Sequence, residues 1–124
     1  MRQRVNIMRT LAYDPQVILM DEPFGPLDAL TRGTLQNWIW NYWREAGKTI
    51  IFVTHDLFEA VGLGRRVCVM TGRPGKIQSA YAVSLPEPRD AFSVHDTPGF
   101  QNVYSKVRSE VLAALGEGTP SGDK

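Results

Sequence analysis

The segment at residues 16–32, QVILMDEPFGPLDALTR, joins a short apolar run to two adjacent carboxylates and a proline-rich turn. Residues 16–20 form a continuous run rich in β-branched side chains, which predicts a strand covered on both faces. The Pro-Gly-Pro sequence that follows the carboxylates predicts a turn. Asp28 is placed to cap a helix that extends to Ala46 and stops at Gly47. The segment therefore predicts a strand, a turn and a long helix in direct succession.

The residues around this segment repeat the alternation of helices and strands. Residues 1–13 have helical periodicity, residues 48–54 form a second apolar strand, and residues 67–70 form a third after a short helix. This order predicts an α/β fold, with a parallel sheet and helices on its faces. The long helix is expected to bury one face, formed by Leu35, Trp38, Ile39, Tyr42 and Trp43.

After the third strand the pattern changes. Residues 72–75 predict a turn, residues 76–85 an extended arm, and residues 86–98 a proline-marked connection. A final helix follows, with one apolar face formed by Phe100, Val103, Tyr104, Val107, Val111, Leu112 and Leu115. Residues 116–124, rich in Gly and Ser, are expected to be a disordered tail.

Composition narrows the class of protein. The chain has 124 residues, a formal net charge of +1 and 43% hydrophobic residues, which indicates one globular domain and argues against a strongly nucleic-acid-binding chain. No apolar run in the sequence is long enough to span a bilayer. Cys68 is the one cysteine, which excludes an internal disulfide and fits a reducing, cytosolic setting. Its neighbours are apolar, so we expect it to be a small core residue.

The residues best suited to bind a ligand or to act in catalysis follow two of the predicted strands. Asp21 and Glu22 directly follow the first strand, and ligands of parallel α/β sheets bind beyond the carboxyl ends of the strands. Two carboxylates there could hold Mg²⁺ and polarise a water; the alternative is a turn cap beside a solvent-facing acid. His55 follows the second strand and could contact a phosphate or orient a water, or it could be a helix cap or a packed side chain. His95, in the proline-rich connection, is interpreted as a surface residue.

Taken together, two segments of the sequence resemble a known family. MRQRVNIMRTLAYDPQVILMDEPFGPLDALTR (residues 1–32) and IIFVTHDLFEA (residues 50–60) closely resemble the ATPase subunits of ABC transporters. The resemblance covers about residues 1–80 and implies the C-terminal part of a P-loop NTPase core, in which several motifs occur in the family's order. Residues 81–115 would then be a C-terminal extension that ends in the final helix.

The resemblance implies a role for each candidate residue. Residues 1–4 match the tail of the family signature, and Asp21 matches the Walker B aspartate that serves Mg²⁺ through water. Glu22 matches the catalytic glutamate that polarises the attacking water, and His55 matches the switch histidine that senses the γ-phosphate. Asp28 ends the stretch that resembles the D-loop, which lies between two ATPase subunits in the family. In that loop Pro26 stands where a small residue such as alanine is more usual.

The same resemblance implies cofactors, partners and a location. ATP and Mg²⁺ are the expected cofactors, and a second ATPase subunit and transmembrane permease subunits are the expected partners, with no nucleic acid. The expected location is the cytoplasmic face of the membrane, through the permease. TGRPGKI (residues 71–77) and LPEPRD (residues 85–90) further resemble the ATPases of nitrate, sulfonate and taurine importers.

The sequence lacks one part of the family's nucleotide site. It has no glycine-rich loop that ends in Lys-Ser or Lys-Thr, the element that holds the phosphates. We therefore expect a C-terminal fragment in which the strand at residues 50–53 loses a partner and ATP hydrolysis by the chain alone is negligible. Two alternatives are open at this point. One is an inactive interaction module for a full ATPase subunit, and the other is a stand-alone magnesium-dependent hydrolase using Asp21 and Glu22.

Overall fold

The computed structural model describes residues 2–72 and 75–118. Over these ranges the chain forms α1 (Arg2–Ala12), β1 (Val17–Asp21), α2 (Ala29–Ala46), β2 (Thr49–Val53), α3 (Leu57–Leu63), β3 (Arg66–Thr71), β4 (Lys76–Ala82), a 3-10 turn (Val94–Asp96) and α4 (Phe100–Gly118). The final helix thus continues three residues past its predicted end, and the rest of the predicted tail, residues 119–124, lies outside the described residues. None of the helices in the described ranges has the length and apolar character needed to cross a membrane.

The strand, turn and helix predicted for the opening segment are all present. Asp28 occupies the N-cap position of α2, and Gly47 ends that helix in the left-handed conformation (φ 69°), which a glycine adopts without steric cost. β1 and β2 pair in parallel, with Val17 opposite Thr49 and Asp21 opposite Val53. The prediction of parallel strands is therefore confirmed for these two.

The third strand does not join them, so among the described strands the predicted parallel sheet contains only β1 and β2. β3 pairs with β4 in an antiparallel sheet of its own. β4 begins five residues after β3 ends, and such a short connection favours antiparallel pairing of neighbouring strands, whereas a parallel pair needs a long crossover. β4 itself lies in the segment that was predicted as an extended arm.

A cleft of about 450 Å³ separates the two sheets, and side chains from α2, β2 and β3 line it. The edge of β2 that is not paired with β1 and the edge of β3 that is not paired with β4 have no strand partner among residues 2–72 and 75–118. Within the described ranges each sheet therefore has two strands, fewer than a sheet usually needs for independent stability.

The prediction that β1 is covered on both faces is also wrong. Its residues alternate between exposed and buried: Ile18 is 1% exposed, whereas Leu19 is 67% exposed. Helices cover only one face of the β1–β2 sheet within the described chain. The other face, which we call the open sheet face, presents four exposed apolar side chains, of which Leu19 and Ile51 lie opposite each other in the register: Val17, Leu19, Ile51 and Val53.

The buried side chains form two clusters. The first lies between β1, β2, α1 and α2 and contains Ile7, Leu11, Ile18, Met20, Phe24, Leu35 and Ile39. The second lies between β3, β4, α3 and α4 and contains Val61, Val67, Val69, Val83, Leu85, Val94, Phe100 and Val107. The first half of the predicted α4 face is thus part of a core, whereas Leu112 and Leu115 at its far end are exposed.

Two predictions about single side chains are corrected by this packing. On α2 the buried tryptophan is Trp40, which is 4% exposed and has the Arg89 guanidinium over its ring at 4.7 Å, whereas Trp38 is 40% exposed and stacks on Tyr42. Cys68 is exposed and lines the cleft. Its neighbours Val67 and Val69 take the core face of β3, so strand alternation places the cysteine on the opposite face.

Candidate active site

The register of the β1–β2 pair brings the predicted site residues to the end of the sheet where both strands finish. Asp21 is the last residue of β1 and lies opposite Val53, the last residue of β2. The backbone N–H of Glu22 continues the ladder by donating to the Val53 carbonyl at 2.7 Å. His55 follows two residues later, so both strands deliver polar side chains at their carboxyl ends, where parallel sheets bind ligands.

Glu22 and His55 are in direct contact. Oε2 of Glu22 accepts a hydrogen bond from the backbone N–H of His55 at 3.0 Å and lies 2.5 Å from Nδ1 of the same residue. The His55 side chain is 92% exposed and that of Glu22 36%. The contact fixes the Nδ1 side of the imidazole and leaves Nε2 facing solvent, where a ligand can reach it.

The backbone at Glu22 is unusual. Its φ is 48°, in the left-handed region that side chains other than glycine rarely adopt. Such a conformation costs roughly 1–2 kcal/mol and persists only where surrounding contacts enforce it, which happens most often at functional sites. Here the contacts are the ladder hydrogen bond to Val53 and the two contacts with His55, and the left-handed turn aims the carboxylate across the sheet towards β2.

Asp21 is exposed, and its carboxylate forms no hydrogen bond or ion pair with another residue of the described chain. No group of three or more His, Cys, Asp or Glu residues in the described ranges could hold a metal ion by itself. Magnesium commonly keeps several waters and uses one or two carboxylates together with substrate phosphates. A single solvent-facing aspartate at the strand end therefore fits a magnesium ion held through water, but not a protein cage.

Asp28 is separate from the Glu22–His55 pair. It is exposed at the start of α2, and no hydrogen bond or ion pair among the described residues joins it to Glu22 or His55. Interaction with the Thr31 side chain lowers the pKa of the Asp28 carboxyl. The structure thus brings Asp21, Glu22 and His55 together and leaves Asp28 on the surface of the adjoining turn. His95, predicted to be a surface residue, is exposed.

The structure adds a buried residue that sequence reasoning missed. Glu59, on α3, is 8% exposed and accepts a hydrogen bond from Nε2 of Gln36 on α2 at 2.9 Å. Burial raises the pKa of its carboxyl, an effect that hydrogen bonding from the Thr54 side chain partly offsets. Its backbone N–H donates to Asp56, the N-cap of α3. An N-cap followed three residues later by Glu is a capping-box pattern, so the sequence held a signal for this residue.

Comparison with known proteins finds relatives along most of the chain, although no protein-family model matches the sequence. An ABC transporter ATP-binding protein from Methanocaldococcus jannaschii is 46% identical over 115 residues, which are 93% of this chain and 43% of the relative. An aliphatic sulfonates import ATP-binding protein from Bacillus licheniformis is 46% identical over 110 residues. A taurine import ATP-binding protein from Jannaschia sp. is 45% identical over 118 residues. The chain is homologous to the ATP-binding proteins of ABC transporters.

This homology confirms the resemblance found in the sequence, including its narrower form, since relatives that import sulfonates and taurine are among those matched. The chain spans about two fifths of the length of these ABC transporter ATP-binding proteins, 42–43% in the three named above. The α/β character with a parallel strand pair and a C-terminal helix is consistent with part of such a protein. The roles of Asp21, Glu22, Asp28 and His55 stay predictions.

Proposed function

We propose that this chain carries the hydrolytic residues of an ATP-binding subunit that energises ABC-type import of a small anion such as nitrate, a sulfonate or taurine. The observation that carries the proposal is the contact of Glu22 with His55 at the carboxyl ends of two paired parallel strands. The names of the relatives support the substrate class. A second ATPase subunit and transmembrane permease subunits are the partners that this function requires.

The geometry supports a separate chemical role for each of three residues. The Glu22 carboxylate is partly open to solvent and is placed to orient a water and accept its proton. His55 is held at Nδ1, so its exposed Nε2 can contact a γ-phosphate. Asp21 is free to hold a water of a magnesium shell. Bound Mg-ATP supplies the phosphoryl group, with the metal neutralising the charge that develops on it.

The phosphate-binding loop for this reaction has to come from outside these 124 residues, because the sequence contains none. We therefore expect negligible ATP hydrolysis by the chain alone. The experiment adds a separate polypeptide that carries the glycine-rich loop of a sulfonate-type relative and measures magnesium-dependent phosphate release. Activity should appear only with both polypeptides, and Glu22→Gln should lower it by about 100-fold, a typical loss when a general base is removed.

A matched control is Glu45→Gln, which neutralises an exposed carboxylate in the last turn of α2, at the opposite end of that helix from Glu22. It should leave the rate within about twofold of the unaltered chain, as surface changes usually do. His55→Ala tests the second residue of the pair. Equal rates for the Glu22→Gln and Glu45→Gln variants would contradict the proposal, and so would magnesium-dependent turnover by the chain alone.

A non-catalytic interaction module is the second candidate, and the open sheet face favours it. Val17, Leu19, Ile51 and Val53 are each about half exposed or more, and they form one apolar surface beside the unpaired edge of β2. Contiguous exposed apolar surface in a globular chain marks a contact with another protein. The occupant proposed is a full-length ATP-binding subunit of the same family, because the matched relatives are more than twice as long as this chain.

This candidate has its own test. The chain, carrying an affinity tag, is mixed with a purified full-length relative, and association is measured by co-purification. Binding should be lost when Leu19→Lys and Ile51→Lys place charges on the open sheet face. Binding together with no Glu22-dependent hydrolysis would favour the interaction module over the catalytic function. Absence of binding would remove the module.

A further inference from the structure

Thr54 and Asp56 flank His55 in a tight turn between β2 and α3. The backbone N–H of Asp56 donates to the Thr54 hydroxyl at 3.0 Å, and the backbone N–H of Glu59 donates to Asp56 Oδ1 at 3.2 Å. His55 sits between the two capping residues, and its own contacts are those with Glu22. With the imidazole 92% exposed, packing does little to orient it. The conformation of the turn therefore decides where His55 lies.

The Glu59 side chain connects this turn to α2. Its carboxylate accepts from Gln36 at 2.9 Å, and both side chains are buried, with 8% and 9% exposure. A buried carboxylate carries a desolvation cost, so an apolar side chain at this helix position would be less costly if packing were its only role. The hydrogen bond instead fixes one particular separation between α2 and the first turn of α3.

Each of the two helices follows one of the two residues in the Glu22–His55 contact. α2 begins directly after the turn that follows Glu22, and α3 begins two residues after His55. A contact that fixes α2 against the first turn of α3 therefore fixes the frame on which the Glu22–His55 contact is built. Glu59 touches neither the candidate water nor the phosphate position, so any effect it has on chemistry is indirect.

We propose that Glu59, through its hydrogen bond with Gln36, is a positioning residue that holds the His55 turn so that His55 meets Glu22. The catalytic consequence rests on the proposed function, but the positioning itself can be measured in the chain without ATP. The readout is hydrogen exchange at the His55 amide, measured by NMR, because that N–H donates to Glu22. Exchange of this amide reports formation of the contact locally.

The variants compare Gln36→Leu and Glu59→Leu with Glu59→Gln. Loss of one buried hydrogen bond should lower the protection of the His55 amide about fivefold to tenfold in both leucine variants. Glu59→Gln keeps an acceptor for Gln36 and should retain most of the protection. Asn37→Leu is the matched control. It removes the neighbouring α2 side chain, which contacts Asp90 and Ala91 instead, and should leave the His55 amide unchanged.

Two results would overturn the inference. One is undiminished His55 protection in the leucine variants. The other is an equal fractional loss at the β1–β2 ladder amides, which would show that Glu59 only stabilises the fold. If Glu59→Leu does not fold, Gln36→Leu and Glu59→Gln still decide the question. The exchange measurement uses no nucleotide. It can therefore be interpreted even if the proposed ATP hydrolysis fails, and a failure of the positioning inference would leave the test of ATP hydrolysis unaffected.

Discussion

The Glu22 carboxylate accepts a hydrogen bond from the His55 backbone N–H at 3.0 Å while lying 2.5 Å from the Nδ1 atom of the same residue. The two residues are 33 positions apart in sequence, and parallel pairing of β1 with β2 brings them together. The contact therefore exists only if the strand register is formed.

Backbone strain at Glu22 should be measurable as a difference between two variants that both remove the carboxylate. Glu22→Gly accommodates a φ of 48° without steric cost, whereas Glu22→Ala does not. The glycine variant should be more stable than the alanine variant by about 1 kcal/mol, the usual cost of a left-handed residue other than glycine. Urea unfolding of both proteins checks this. A more stable alanine variant would show that the turn relaxes when the carboxylate is lost.

The buried Glu59 carboxyl should make stability depend on pH. Burial raises the pKa of Glu59 in the folded chain above its ordinary value of 4.5, so the folded state binds this proton more tightly than the unfolded state. The associated stability is fully present below pH 4.5 and is lost as pH rises through the folded-state pKa. Glu59→Gln stays neutral, so its free energy of unfolding relative to the unaltered chain should increase as pH rises.

Thermal or urea unfolding across that pH range measures this difference. The Glu45→Gln variant corrects for the general effect of removing one negative charge from the chain. A difference between Glu59→Gln and the unaltered chain that is constant with pH would contradict the prediction.

Arg89 should be a large contributor to stability. Its guanidinium donates to the carbonyls of Gly62 (3.1 Å) and Gly64 (2.8 Å) at the end of α3 and to that of Val83 (3.2 Å) after β4. It also lies over the Trp40 ring on α2. Replacement with alanine leaves buried carbonyls unpaired, so Arg89→Ala should lower the free energy of unfolding by about 3 kcal/mol.

Two variants test whether the effect of Arg89 comes from the several N–H donors of its guanidinium. Arg89→Lys keeps the charge but cannot reach several carbonyls at once, so it should recover less than half of the loss. Arg108→Ala on the exposed side of α4 should change stability by less than about 0.5 kcal/mol. Full recovery with lysine would show that charge near the end of α3 is sufficient.

Cys68 should react readily in the folded chain, because it is exposed in the cleft between the two sheets. A thiol reagent such as a maleimide should label it at a rate close to that of the unfolded protein. The matched comparison is Val69→Cys in a Cys68→Ser background, which moves the thiol to the core face of β3, where Val69 is 5% exposed. That variant should react at least about 100-fold more slowly if labelling there requires global unfolding. Similar rates at both positions would mean that β3 is not held against its core.

The prediction of the site from sequence depended on local features that do not need the rest of the fold. Asp21, Glu22 and His55 each follow an apolar run, and strand ends in parallel sheets are known positions for ligands. Glu59 was missed because its importance lies in a contact with Gln36, 23 residues away, although the Asp56–Glu59 spacing was visible. Trp40 was missed because its burial depends on Arg89, which approaches from a different part of the chain.

The sequence by itself determined the local elements and the homology, because helix caps, apolar periodicity and contiguous motifs are properties of neighbouring residues. It correctly predicted the helix between Asp28 and Gly47, the strands at either side of it, and homology to ABC transporter ATP-binding proteins. Only the tertiary structure decided which strands pair and which faces are covered. Burial of β1 and the position of Cys68 depend on what packs against each face, and that is set by residues distant in sequence.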